Sequence, residues 1–491
     1  VLHAATAVLL YRVGVRVLGS ATAALAAALL FAVHPLHVEA VTYVAGRSDP
    51  LAALCLLVAV LGFLRGDARG RGLSVAAYVC ALLAREAAFV LPLLLVVLDR
   101  VPPGRVRRPP SSYLPYVGAL GLYVVLRSLV PTPTPVAFAE TVPLGFRLLT
   151  MAEVIVRYLG LVVAPIGLHM ERVVAPVTSV VDPRALAAVA VVAMLVISLI
   201  RARSTRAWPV ALGGAWFFVA LLPVAHLVPL ATFMAEHWLY VPLMGLCLAA
   251  GWSIDAIPPP GGRRAMAVGV AVVVAVYGGI TMRQSARWRD GRTLYEYLVP
   301  LAPESARVRV NLAQVYQEAG ELERARGLYL DVVRLRPNDV ATAEALNNLG
   351  NIERASGAAA AALAHFERAL VLKPRHVVAR NGRALALQDL GRVDEAEAEL
   401  HAALALDPEA ATTRSNLGNL SFRRGDLARA REHYLAAVRL DPDHADAHNN
   451  LGSVYFRLGD RAGAEAEYRT ALRLNPASEG ARRNLAIVLG E

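Results

Sequence analysis

Long apolar runs, each broken by a few arginines or prolines, fill the first 282 residues. After about Arg283 the pattern becomes a charge-dense, Ala-rich helical period with no run long enough to cross a bilayer. A span needs about 20 apolar residues. Runs of that character occupy 2–18, 21–38, 51–64, 73–98, 113–130, 185–200, 208–227, 238–257 and 265–282. A further stretch, 148–166, contains Glu153 and Arg157 and reads either as a span or as an interfacial or re-entrant helix.

The second half repeats itself. Prolines at 303, 337, 374, 408, 442 and 476 are 34, 37, 34, 34 and 34 residues apart. Each unit carries a Gly and an Ala at fixed offsets, and four of the five carry an aromatic such as Phe366, Tyr434 or Tyr468. This is the 34-residue helix–turn–helix tetratricopeptide signature, in which small residues admit close helix packing and proline ends the second helix. The expected organisation is therefore all-α: a polytopic membrane domain over 1–282, a linker over 283–305, five repeats over 306–476 and a capping helix within 477–491.

Composition refines this picture in two ways. Hydrophobic residues make up 56% of the 491, charged residues only 18%, and the mean hydropathy is +0.47. The net charge of +11 does not point to nucleic acid, because its arginines cluster in short loops between apolar runs, as the positive-inside rule expects. Cys55, Cys80 and Cys247 all lie in apolar runs and lack metal-ligand spacing. An Arg-dominated, Ala-rich usage suggests a GC-rich bacterial genome and hence a bacterial inner membrane.

Fourteen arginines define one family of loops: Arg12 and Arg16; Arg65, Arg69 and Arg71; Arg100, Arg105, Arg107 and Arg108; Arg201, Arg203 and Arg206; Arg263 and Arg264. Placing these in the cytoplasm requires 73–98 to enter and return as two short, Pro-containing helices that turn at Arg85-Glu86. It also requires 131–183 to cross an even number of times. The loops 34–49 and 226–237, the Arg85-Glu86 turn and all the repeats then face the extracytoplasmic side. Arg283, Arg287 and Arg289 beside the last span oppose this orientation and are outnumbered.

That face gathers His34, His37, Glu39, Arg47, Asp49, Arg85, Glu86, Glu236 and His237. Ionisable residues at membrane depth are costly and mark function by default, although solvated loops would explain them equally well. No metal site is expected, because Pro35 breaks the helix that a His-x-x-His arrangement would need. In the repeats, Asn311, Asn348, Asn416, Asn450 and Asn484 recur just before the Leu-Gly position or its equivalent. Amides so placed could read a peptide backbone in the inner groove, or could satisfy contacts inside the stack.

The stretches "HPLHVEAVTYVAGRSDPLAAL", "REAAFVLPLLLVVLD" and "AEHWLYVPLMG", followed by the repeats, resemble the transmembrane and tetratricopeptide-repeat-containing O-mannosyltransferases (the TMTC family), here as a bacterial relative. The resemblance implies a GT-C type glycosyltransferase fold. It also implies transfer of a sugar, mannose in that family, from a polyprenyl-phosphate carrier to Ser or Thr of an extracytoplasmic protein recruited by the repeats. Such a reaction needs a carboxylate base and cationic partners for the departing phosphate. GT-C enzymes place the catalytic acid in the first extracytoplasmic loop. This chain opens at Val1 inside what matches the second span, so the base is expected upstream of it and the chain alone is expected to be inactive. The acidic and cationic residues named above are then carrier-binding or positioning candidates, and where family members often carry Arg this chain has His237. Neither a cofactor nor a divalent metal requirement follows. Two competing readings stay open: a non-catalytic membrane-anchored scaffold for envelope proteins, and a glycosyltransferase acting on lipid or glycan.

Overall fold

The computed structural model describes residues 1–103, 107–130, 142–256 and 262–490, with the side chains of 44, 45, 262–264 and 266 excepted. Arg105, the ends at 131 and 257 of two expected segments, and the Arg263 and Arg264 side chains lie outside the described residues. The chain is 78% helix, with no strand among the described residues, and divides into two compact units, Val1–Pro303 and Glu304–Glu491.

The first unit contains α1 (Leu2–Leu18), α2 (Ala21–Val33), α3 (Val38–Thr42), α4 (Ser48–Arg65), α5 (Ala68–Ala84), α6 (Leu91–Arg100) and α7 (Leu114–Ser128). It continues with α8 (Leu144–Val163), α9 (Pro183–Ala202), α10 (Trp208–Leu221), α11 (Tyr240–Asp255), α12 (Gly262–Arg287) and α13 (Gly291–Leu298). Among the described residues four helices are long and apolar enough to cross a membrane: Ser48–Arg65, Pro183–Ala202, Glu236–Asp255 and Ala267–Arg287. A fifth forms if Ala21–Val33 and Pro35–Thr42, bent by 52°, act as one span.

This is fewer than the nine apolar runs suggested, because α1, α7 and α10 have only 17, 15 and 14 residues and two other runs are interrupted. Proline without an N–H cannot continue a helix, so Pro35 ends α2 at Val33, and the extended backbone of Arg85 (φ −158, ψ 129) separates α5 from α6. The expected turn at Arg85-Glu86 is present, although only α6 of the two flanking helices contains proline, Pro92. The undecided stretch 148–166 falls mostly within α8, a 20-residue helix whose Met151, Val154 and Tyr158 are buried. The segment read as a linker is also largely helical: α12 ends at Arg287, and Asp290 caps α13 by accepting from the Thr293 amide at 2.7 Å. The Arg287 guanidinium then lies 3.6 Å over the Tyr297 ring.

Small residues let the membrane helices approach. A Cβ on Gly62 of α4 would sit 2.6 Å from the Gly70 carbonyl oxygen of α5, so the two backbones pack almost directly on each other, as small-residue interfaces in membranes do. Around them Leu10, Phe31, Leu57, Tyr78, Leu95 and Trp216 form a fully buried core.

The second unit stacks five helical pairs: α14 (Ala306–Glu318) with α15 (Leu322–Leu335), α16 (Ala341–Ala355) with α17 (Ala359–Leu372), and α18 (Val377–Asp389) with α19 (Val393–Leu406). The series continues with α20 (Ala411–Arg423) and α21 (Leu427–Leu440), then α22 (Ala445–Arg457) and α23 (Arg461–Leu474), and ends in α24 (Glu479–Leu489). Within each pair the turn runs through a left-handed glycine, such as Gly425 at φ 81. The Tyr434 ring fills the space that a Cβ on Gly418 would enter at 2.6 Å, which explains the Gly–aromatic pairing in the repeat.

The repeats carry a pH dependence. Burial pushes the imidazoles of His365, His376 and His433 below their ordinary value. Below about pH 6.5 the unfolded chain takes up protons that the folded one resists, so stability present at neutral pH is lost on acidification. Hydrogen-exchange protection across 304–490 is expected to be lower at pH 5.5 than at 7.5, after correction for the intrinsic exchange rate. Protection that rises on acidification would contradict this assignment.

Candidate functional site

Three interruptions in the helices of the first unit build the site. At the first, His34 is extended, its Nδ1 accepts from the Leu36 amide at 3.3 Å and its Nε2 donates to the Val162 carbonyl at 3.0 Å. A 3-10 turn over Pro35–His37 and the short α3 follow, which places Glu39. At the second, Arg85 leaves α5 and enters a 3-10 turn over Glu86–Val90. At the third, extended Ala235 leads into a 3-10 turn over Glu236–Leu239 that carries His237.

The turns meet through side chains. Glu39 Oε1 accepts from His237 Nδ1 at 2.8 Å, a pairing that places a proton on Nδ1, so that Nε2 accepts when the ring is neutral and donates when it is protonated. Asp49, in the first turn of α4, accepts from Arg85 Nε at 3.0 Å, and Arg85 Nη1 donates to Ser48 Oγ at 3.1 Å. Both carboxylates are only 11% exposed, and Glu39 Oε2 and Asp49 Oδ2 are buried without a hydrogen-bond partner among the described residues. Such orphaned oxygens are expensive unless a ligand or water meets them.

Asp49, Arg85, Glu86 and His237 line one cavity of about 320 Å3, together with Tyr240 and an otherwise largely apolar wall that includes Leu56, Val90 and Val241. Residues 230–232 close one side. They are held by His226, whose Nε2 donates to the Thr232 carbonyl at 2.9 Å while its ring stacks 4.2 Å from Phe233. His226 adopts φ 57, the left-handed region that a non-glycine residue enters only at a cost.

The remaining candidates divide differently. Glu236 does not line the cavity. It is buried, with Oε1 accepting from Arg172 Nε at 2.7 Å and from the His169 amide at 2.8 Å, so it ties the 167–172 loop to the turn beside His237. His169 is neutral at pH 7, because burial and then Arg172 push it down to about 4. Tyr158 fastens the same turn from α8, its hydroxyl donating to the Ala235 carbonyl at 2.9 Å and accepting from the Ala235 amide at 3.0 Å. His37 packs among Phe31, Tyr240 and His3, with ring centroids 4.3, 4.7 and 5.0 Å away, and neither ring nitrogen has a partner among the described residues. His34 lies behind it against Tyr277. Arg47 is exposed and stands outside the cavity lining. No group of three His, Cys, Asp or Glu suited to a metal occurs among the described residues.

Sequence reasoning missed Tyr240, Arg172, Tyr158 and His3. Tyr240 stands inside the "AEHWLYVPLMG" stretch, and its hydroxyl pairs with His3 Nδ1 at 2.7 Å, so it was within reach of the motif. Nothing in the chain pattern marks Arg172, which meets its partner from 64 residues away.

In the repeats, where the asparagines could read a bound backbone or satisfy contacts inside the stack, four of the five are bonded within the stack. Asn348 donates to Tyr329 at 3.1 Å, Asn416 to Asn381 at 3.1 Å, Asn450 to Asn419 at 2.9 Å and Asn484 to Asn449 at 3.0 Å. These bonds join one repeat to the next: Asn348 reaches Tyr329 on the preceding second helix, and the other three amides each find another amide on the preceding first helix. Asn311 is half-buried. Asn450 also lines a groove of about 430 Å3 with Arg354, Gln388, Arg423 and Tyr434.

Known proteins match both halves. The description "Tetratricopeptide repeat" matches 304–374, 377–402 and 445–478, and "TPR repeat" matches 418–459. The human protein O-mannosyl-transferase TMTC1 is 27% identical over 408 residues, covering 71% of this chain and 46% of that protein. The Caenorhabditis elegans protein O-mannosyl-transferase F38B6.6 is 23% identical, covering 64% and 46%, and the Drosophila melanogaster Tmtc3 is 25% identical, covering 71% and 45%. The chain thus spans about half the length of the curated relatives it matches. Among solved structures, YrrB, a TPR protein with an unusual peptide-binding site, covers 38% of this chain and 96% of its own at 24% identity, with a TM-score of 0.28.

Proposed function

We propose that this chain, a relative of the TMTC family of protein O-mannosyltransferases, belongs to a membrane glycosyltransferase. In this reading it moves a sugar, mannose in the first instance, from a polyprenyl-phosphate carrier to Ser or Thr of an extracytoplasmic polypeptide. The observation that carries it is the 320 Å3 cavity in which Arg85, Asp49 and His237 meet an apolar wall at the ends of candidate membrane spans. A lipid-held donor requires that combination. Its prenyl chain needs apolar surface and its phosphate needs a cation, which Arg85 supplies permanently and His237 supplies when protonated. The membrane domain would take a GT-C type fold in a bacterial inner membrane.

The chemistry follows from these groups. As the sugar leaves, negative charge develops on the carrier phosphate, and Arg85 beside it stabilises that charge in a low-dielectric site. Asp49 fixes the guanidinium through Nε. His237, oriented by Glu39, presents Nε2 as a hydrogen-bond partner to the sugar or phosphate. The catalytic base is not assigned to a residue of this chain.

The repeats would bring the acceptor. The groove with Arg354, Asn450 and Arg423 offers both amide and guanidinium donors to an extended polypeptide. The test is to isolate the protein from its native membrane, add polyprenyl-phosphate mannose and the host's secreted proteins, and measure added hexose by intact mass. Hexose on Ser or Thr supports the reading. Hexose only on lipid, or none with any polyprenyl-phosphate sugar while the repeats still hold a partner, overturns it in favour of the other two readings.

A further inference from the structure

We propose that a second groove, between α1 and α4 at the end of the membrane unit away from the cavity, binds an anionic phospholipid by its headgroup. This does not depend on the transferase reading. The groove encloses about 580 Å3, and its walls combine Arg12, Arg16 and Arg65 with apolar Val15, Leu61 and Leu73. Arg12 and Arg16 stand four residues apart on α1 and therefore on one face. Arg65 ends α4, whose other end, Ser48, is the partner of Arg85. Seventeen rises of about 1.5 Å put the two ends about 25 Å apart, so the groove and the cavity lie toward opposite ends of one candidate span.

Charge and depth both favour a lipid. Across 9–16 and 58–73 there are five arginines and one carboxylate, Asp67. That carboxylate is committed: Oδ2 accepts from Arg65 Nε at 2.9 Å and Oδ1 from the Gly70 amide at 2.7 Å. Basic pockets between membrane helices recognise anionic headgroups, while a free water-soluble anion has no use for an apolar wall. At the end of a span an arginine fork reaches the headgroup phosphate as its stem lies on the acyl region. Val15, Leu61 and Leu73 then meet the first methylenes of the acyl chains. The bland alternative is a set of solvated arginines that only orient the helices. It predicts a general attraction to any anionic surface and no defined site.

The experiment is native mass spectrometry of the whole chain in detergent with phosphatidylglycerol or phosphatidylcholine added. Wild-type protein is expected to retain phosphatidylglycerol about tenfold better than phosphatidylcholine, and the R12Q/R16Q/R65Q variant to lose about tenfold of that retention. A control that removes three charges from another loop, R201Q/R203Q/R206Q, is expected to keep it. Should the triple variant fail to fold, Val15→Trp fills the groove without changing charge and is expected to cause the same loss. Equal retention of phosphatidylcholine overturns the proposal, as does full retention by the folded triple variant or by Val15→Trp. Equal loss in the control does so too, and displacement by millimolar inorganic phosphate would identify a free-anion site instead.

Discussion

Arg85→Gln is expected to lower hexose transfer by about a hundredfold or more, the cost of one charged donor aimed at developing charge in a desolvated site. Among the described residues that line the cavity, Arg85 is the one permanently cationic side chain. Its Nε is held by Asp49 and its Nη1 by Ser48, which leaves Nη2 for a ligand. Arg85→Lys keeps the charge and loses the fork, so an intermediate loss is expected. The substitution also strands Asp49, whose carboxylate is nearly buried, and that effect must be separated from the loss of a phosphate contact. R85Q/D49N separates them. If transfer returns in the double variant, Arg85 serves only to neutralise Asp49, and its assignment to the phosphate falls. If transfer stays low while the thermal midpoint recovers, the guanidinium acts on the donor.

Much of the fold was legible, because its strongest signals are local. The 34-residue period gives all five helical pairs and the final cap, since each proline and glycine acts within its own turn. The membrane unit was legible in its breaks but not in its spans. Pro35 and the Arg85-Glu86 pair marked the interruptions, whereas hydropathy alone could not show that α6 has only 10 residues or that 283–305 continues into helix. For the site, the sequence named Asp49, Arg85, Glu86 and His237, which the fold brings to one cavity, but not their pairing. Glu39 and His237 are 198 residues apart, and Glu236, adjacent to His237 in the chain, turns away into an ion pair. The asparagines illustrate the limit most directly. Their spacing places them on the first helix of four repeats and on the final helix, and a one-dimensional period cannot say whether an amide points into the groove or across to the next repeat.

The largest expected effect on stability lies at that ion pair. Arg172→Leu is expected to destabilise the membrane unit by about 3–5 kcal/mol, because breaking a buried pair from one side leaves the other charge uncompensated. Glu236 has a 4% exposed side chain and would keep only the His169 amide as partner, and Arg172 would also cease to hold the Gly167 carbonyl at 3.0 Å. Glu236→Gln alone is expected to cost less, since the amide oxygen can still accept from Arg172. R172L/E236Q is expected to recover most of the loss, as removing a buried pair entirely is far cheaper than halving it. Thermal unfolding in detergent compares the three, and a double variant no more stable than Arg172→Leu would show that the guanidinium matters for the loop and not for the charge. Function should follow stability only in part. His237 is adjacent to Glu236, so even the stable double variant loses the tie that sets the 236–239 turn, and donor affinity should fall while the fold survives. That split, stability restored with donor affinity still reduced, is what distinguishes a residue that positions the cavity from one that merely fills the protein.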